Sequence, residues 1–200
     1  MTKLGINIDH VATVRNARGE GHPSVTEVAK IVKNSGADSI TVHLREDRRH
    51  IKDQDLKILC NKKYFINMEM AANIKMMEIA IKNKPKCVCL VPEKRNEVTT
   101  EGGLNLNKNY NLIKKIVTKL NNKNIRTSLF IDPSIRNIIL SKKIGAKCVE
   151  LHTGKISRLV KNNKNFSKEF LKIKKCSKFG VENNIEIHAG HGLDYKTTKL

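Results

Sequence analysis

"SITVHLREDRRHI", residues 39–51, starts as the β-branched apolar run that suits the middle of a sheet and ends in a burst of charge: His43, Arg45, Glu46, Asp47, Arg48, Arg49 and His50. The pattern recurs along the chain. "KLGINID" (3–9), "FINMEM" (65–70), "KCVCLVP" (86–92), "RTSLFID" (126–132), "KCVELHTG" (147–154) and "IEIHAGHG" (185–192) are also short apolar runs that finish on polar residues. Between them lie stretches with apolar residues at three- and four-residue spacing, such as Val25, Val28, Ile31 and Val32, which predict amphipathic helices. Gly36 and Gly145 are expected to stop two of these helices, each being followed by Ala and the next strand. Strands alternating with helices predict parallel βαβ units. The absence of an internal linker predicts one α/β domain over residues 1–200, with a TIM (β/α)8-type barrel as the natural architecture. A doubly wound open sheet is the alternative, but no GxGxxG follows the first strand.

Composition narrows the function classes. With 39% hydrophobic and 29% charged residues the chain reads as a soluble globular protein, and no apolar run approaches the roughly 18 residues of a membrane span. "MTKLGINID" has neither an apolar signal core nor a small-residue cleavage site, so a cytoplasmic location is expected. Five cysteines without CxxC pairs suit a reducing compartment. Cys87 and Cys89 lie two apart in a strand, so they share a face and read as buried thiols rather than ligands. The net charge of +20 raises nucleic acid as a partner. Against that, the lysines are dispersed: in "NLIKKIVTKLNNKN" (111–124) they occupy the polar side of a helix. Aromatics are only 4% and Trp is absent, so there is no stacking platform. A general positive field favours small anionic substrates instead.

In parallel α/β folds functional groups collect where strands end. Here those ends supply Asn7, Asp9 and His10; His43 and Arg45; Glu69; Glu93; Asp132; Glu150 and His152; His188 and His191. Of the 7 histidines only His22 lies away from a strand end. Imidazoles and carboxylates converging on one rim make acid–base pairs that work near neutral pH. A metallohydrolase is one alternative, although the His spacing is poor for ligands. A Schiff-base aldolase is another, although Glu150, His152 and His188 stand where a barrel lysine would be needed. Metal-free acid–base chemistry on an anionic substrate fits best, with Arg18, Arg45 and His50 as anion clamps.

At these residues a resemblance becomes specific. "NIDHVATVRNARG" (7–19), "ITVHLREDRRHI" (40–51), "NMEMA" (67–71), "LVPEKRNEVTTEGGL" (90–104), "SLFID" (128–132), "ELHTG" (150–154) and "AGHGL" (189–193), in this order, resemble the pyridoxine 5′-phosphate synthase family of vitamin B6 biosynthesis. The resemblance implies a TIM barrel assembled through dimers into a homo-octamer. It also implies condensation of 1-deoxy-D-xylulose 5-phosphate with 3-amino-2-oxopropyl phosphate to pyridoxine 5′-phosphate, phosphate and water, with no metal and no cofactor. Carried over by residue, His43 and Glu69 match proton acceptors, His191 a proton donor and Glu150 a transition-state stabiliser. Asn7 matches a contact to the amino-ketone phosphate. Asp9, His10, Arg18, Arg45, His50 and Thr99 match contacts to the sugar phosphate, and Gly192 matches a backbone phosphate contact. "PEKRNEVTTEGG" (92–103) matches a loop that closes over substrate, in which Glu93, Lys94 and Arg95 read equally well as solvated loop charges. Two departures stand out. The family pattern continues to an eighth strand and a Gly-His phosphate turn, whereas this sequence stops after the seventh strand, so a truncated barrel with reduced activity is expected. His188 stands where the family pattern carries Asn.

Overall fold

The computed structural model describes residues 2–93 and 102–200. Seven strands form one parallel sheet in sequence order: β1 (Gly5–Asn7), β2 (Ser39–His43), β3 (Ile66–Ala71), β4 (Cys87–Val91), β5 (Arg126–Ile131), β6 (Cys148–His152) and β7 (Glu186–Gly190). Each lies within the segment expected for it, give or take a residue at an end. The registers keep the strand ends level: His43 stands beside Glu69, Glu69 beside Cys89, and Glu150 beside His188. The sheet curls. Cys89 on β4 reaches Glu150 on β6 at 3.8 Å across the intervening β5, which a flat sheet does not allow. No strand pairs β1 with β7 among the described residues, so the barrel is open on that side.

Eight helices cover the outer face among the described residues: α1 (Asp9–Arg18), α2 (Val25–Asn34), α3 (Asp53–Asn61), α4 (Ile74–Asn83), α5 (Tyr110–Asn121), α6 (Ile135–Ile144), α7 (Gly154–Lys161) and α8 (Ser167–Glu182). Local chemistry sets several of their ends. Ser24 caps α2 by accepting the Glu27 N–H, and Asn73 caps α4 by accepting the Met76 N–H at 2.9 Å. Gly145 closes α6 with φ +96°, in the left-handed region that glycine adopts without a Cβ clash. At α2 the expected stop shifts by one residue: Ser35 takes the cap and Gly36, φ +92°, turns the chain just beyond it.

The apolar core lies between sheet and helices. Val88, Leu90, Leu129, Ile131, Val149 and Leu151 point outward from the strands and pack with Leu56, Leu59, Met76, Ile113, Ile116 and Leu120 of the helices. Alternation along each strand then turns the other set of side chains into the curl. That inner face holds only a small apolar cluster, Cys89, Val91 and Phe130. Among the described residues the rest of it is mostly polar, with the buried thiols Cys87 and Cys148 and the Arg126–Glu186 pair toward the base. Cys87 and Cys89 are both buried. A barrel interior lined with charge is unusual for a packed core and marks the inner face as the working surface.

Candidate active site

β1 runs into α1 with no intervening loop, so Asn7 and Asp9 straddle a strand end and a helix start. The Asn7 amide donates to Asp9 Oδ2 at 2.7 Å, and its carbonyl accepts the Asp9 N–H at 2.8 Å. The other Asp9 oxygen accepts the backbone N–H of His43 at 2.7 Å. The His43 ring sits between two carboxylates. Its Nε2 lies 2.8 Å from Glu93 Oε1 and its Nδ1 3.8 Å from Glu69 Oε2. Burial pushes the Glu69 carboxyl well above its ordinary 4.5, and the charges of Glu150 and Asp9 push the same way. Burial also raises Glu150, against the opposing pull of His188 and a hydrogen bond from the Cys89 thiol. The ligand atoms of Asp9, His43 and Glu69 lie within 4.8 Å of one another, so this trio has the donor set to hold a divalent cation.

Arg45 is buried beside this cluster, its Nε 3.4 Å from Asp47. Burial alone would raise Asp47, but hydrogen bonds from Arg49 and the charges of Arg45 and Arg49 hold it at about 2. The Thr13 hydroxyl lies 2.7 Å from His50 Nδ1, and burial lowers the His50 pKa. Two expected members stand apart. His10 is exposed on the first turn of α1. Arg18, at the far end of that helix, reaches Glu20 at 3.1 Å. Thr99 lies outside the described residues, as do Lys94 and Arg95.

The second half of the rim comes from β6 and β7. The rings of Phe130, His152 and His191 meet with centroids 4.9–5.9 Å apart. His191 takes φ +78°, an uncommon backbone for a residue with a Cβ. Thr153 anchors that turn, its N–H donating to Gly190 O at 2.8 Å and its hydroxyl lying 2.8 Å from His191 O. A Cβ at Gly190 would stand 2.1 Å from Glu150 Oε1, so glycine is what admits the carboxylate there. Gly192 is exposed, and a Cβ on it would stand 3.6 Å from Ser157 Oγ. Burial lowers both His152 and His191; His152 and Arg158 lower His191 further. Two buried polar atoms here, His152 Nε2 and Ser157 Oγ, have no hydrogen-bond partner among the described residues. His188 pairs with Glu186 at 2.8 Å on the inner face.

The structure therefore brings Asn7, Asp9, His43, Glu69 and Glu150 together, with Arg45 and His50 beside them and His191 and Gly192 across the curl. Sequence reasoning counted Glu93 and His152 among the strand-end groups without giving either a specific part, and it did not single out Ser157. For the first two the strand-end position was the available signal; Ser157, inside α7, had none.

Comparison with known proteins completes this picture. Residues 4–200 match the family described as pyridoxal phosphate biosynthesis protein PdxJ. The chain is 59% identical over 201 residues to the pyridoxine 5′-phosphate synthase of Pelagibacter ubique, covering 100% of this chain and 84% of that protein. It is 49% identical over 195 residues to the enzyme of the same name from Ehrlichia ruminantium, covering 97% of this chain and 80% of that one. Among solved structures, 3-keto-L-gulonate-6-phosphate decarboxylase from Vibrio cholerae superposes with a TM-score of 0.61 at 10% identity, over 96% of this chain and 78% of the other, a likeness of fold alone. Matched by its family from residue 4 to residue 200, the chain belongs to the PdxJ family of pyridoxal phosphate biosynthesis proteins.

Proposed function

We propose that this protein makes pyridoxine 5′-phosphate by condensing 1-deoxy-D-xylulose 5-phosphate with 3-amino-2-oxopropyl phosphate. The observation that carries the reading is the His43–Glu69–Glu150 cluster, a base and two carboxyls that burial lifts above their ordinary values, on the inner face of the curl. The amine and ketone of the two substrates form an imine with each other, so no enzyme lysine is required. Every later step moves a proton on or off carbon or oxygen. In this reading His43 and Glu69 accept protons, Glu150 stabilises developing positive charge, and His191 donates. At rest His191 is held below the ordinary histidine value, first by burial and then by His152 and Arg158. A phosphate dianion arriving beside it opposes all three and restores the proton it gives away. Arg45, His50 and Asp9 hold the sugar phosphate, joined by His10, Arg18 and Thr99. Asn7 and the Gly192 backbone take the amino-ketone phosphate. One barrel unit over 1–200 carries the site; a cytoplasmic location and an octamer built from dimers are further expectations. No helix of the described residues is long and apolar enough to cross a membrane.

The test is turnover of both phosphorylated substrates by chelator-treated protein, followed by the appearance of pyridoxine 5′-phosphate. Product supports the reading. Failure to form product with and without added divalent ions overturns it, and activity restored only by a divalent ion would make Asp9, His43 and Glu69 a metal centre instead.

A further inference from the structure

We infer that Glu93 is a positioning residue for His43: it holds the Nε2–H and so leaves Nδ1, the nitrogen that faces Glu69, as the proton-accepting atom. The inference rests on the functional reading above and deepens it with a residue that reading does not use.

Glu93 stands two residues past the end of β4 and directly before residues 94–101, a position that suggests a solvated loop carboxylate. Its side chain is instead only 5% exposed. One oxygen lies 2.8 Å from His43 Nε2 and the other accepts the backbone N–H of Glu46 at 3.0 Å. The carboxylate thus ties the segment after β2 to the end of β4, and both of its oxygens are used. Burial by itself would raise the Glu93 carboxyl, but the bonds from His43 and Glu46 outweigh it and hold the group below its ordinary value. With one oxygen accepting the Glu46 N–H and the other set 2.8 Å from His43 Nε2, the group has the geometry of a carboxylate, which can only accept. The hydrogen between Glu93 Oε1 and His43 Nε2 consequently belongs to the nitrogen. A neutral imidazole carries one N–H, so its lone pair is on Nδ1. Nδ1 is 3.8 Å from Glu69 Oε2, too far for a direct hydrogen bond. That gap leaves the two proposed acceptors free to address one substrate atom between them. Asp9 fixes the backbone N–H of the same residue, so ring and main chain are both held.

The experiment is ¹⁵N–¹H correlation of the imidazoles in the resting full-length protein, with His43 assigned through His43→Ala, combined with steady-state kinetics. The Nε2–H tautomer is expected in the wild type. Glu93→Gln should redistribute it and lower kcat roughly a hundredfold, as loss of an orienting carboxylate does elsewhere, with KM for the sugar phosphate within about threefold. Glu93→Asp, which keeps the charge, should recover part of the tautomer and part of the rate. Adding Glu93→Gln to His43→Ala should produce no further loss, because the two act as one unit. An Nδ1–H tautomer in the wild type, full kcat in Glu93→Gln, or a loss that multiplies with His43→Ala would overturn the assignment. A wild type that forms no product would overturn the functional reading, while the tautomer would still decide the role of Glu93.

Discussion

At the ends of β1–β4 the polar groups hold one another. Asn7 grips Asp9, Asp9 takes the His43 N–H, and Glu93 takes the His43 ring. At the ends of β6 and β7 the holding is partial: Thr153 ties the β7 turn and His152 Nδ1 lies 3.4 Å from Asp132, but other polar atoms are left over. His152 and His191 meet ring to ring, and His152 Nε2 and Ser157 Oγ are buried with no partner among the described residues. A buried donor or acceptor left alone costs about 1–3 kcal/mol, so such atoms persist where a ligand completes them. The contrast teaches a division of labour. On the functional reading proposed above, the first half holds the two proton acceptors in place before substrate arrives, while the second, which carries His191, has polar atoms left for an anion.

The largest effect tests the first half. Glu69→Gln should cut kcat by roughly two to four orders of magnitude, the usual contribution of an acid–base group. The same change should alter stability in the opposite sense. Because the folded protein keeps a proton on Glu69 above pH 4.5 that the unfolded chain gives up, the folded state binds more protons there. The Glu69 contribution to wild-type stability then falls as pH rises from about 4.5 toward its raised value, against the lowered His50, His152 and His191, whose contribution rises with pH. Glu69→Gln should flatten that fall and melt higher than wild type at pH 8. Equal melting temperatures across the range would show that the buried carboxyl is not strained.

Next comes the joint between the halves. Gly190→Ala would put a Cβ 2.1 Å from Glu150 Oε1 and must displace the carboxylate. A displacement of about an ångström is enough for a roughly hundredfold loss of turnover. Unchanged kcat would separate Glu150 from the chemistry. A smaller effect belongs to the second half. Ser157→Ala removes a hydroxyl that has no partner among the described residues of the resting protein, so the melting temperature should hold or rise. Affinity for the phosphorylated amino-ketone should drop about tenfold, the value of one hydrogen bond to a charged group. A destabilised Ser157→Ala variant with full affinity would erase the comparison. Arg18→Ala should do least to the fold, within about 0.5 kcal/mol, because its Glu20 pair is solvent-exposed. Its substrate affinity, measured by titration with the sugar phosphate, decides whether the far end of α1 takes part in binding.

The sequence carried the sheet almost completely. Nearly all the outward residues of the strands are apolar because helices cover that face, and "KCVCLV", apolar on both faces, can hardly be anything but a buried strand. It also carried the rule that charge marks the strand ends, which placed His43, Glu69 and Glu150 on one surface. The pairings across that surface were hidden. Glu93 is 50 residues from His43 in the chain, and nothing local distinguishes a carboxylate that turns inward from one that faces water. The orphaned Ser157 hydroxyl sits inside a helix, where serine is ordinary, and only its burial against the β7 turn makes it notable. Gly190 reads as a turn residue, yet the requirement there is space for Glu150, supplied by a neighbouring strand.

The most direct test of a first half that holds its proton acceptors in place is to measure binding and turnover of both substrates side by side in wild type and Glu69→Gln at pH 7.5. The account predicts that both substrates bind within about threefold of wild type while product formation falls at least a hundredfold. Turnover at the wild-type rate with Gln at position 69 would contradict it.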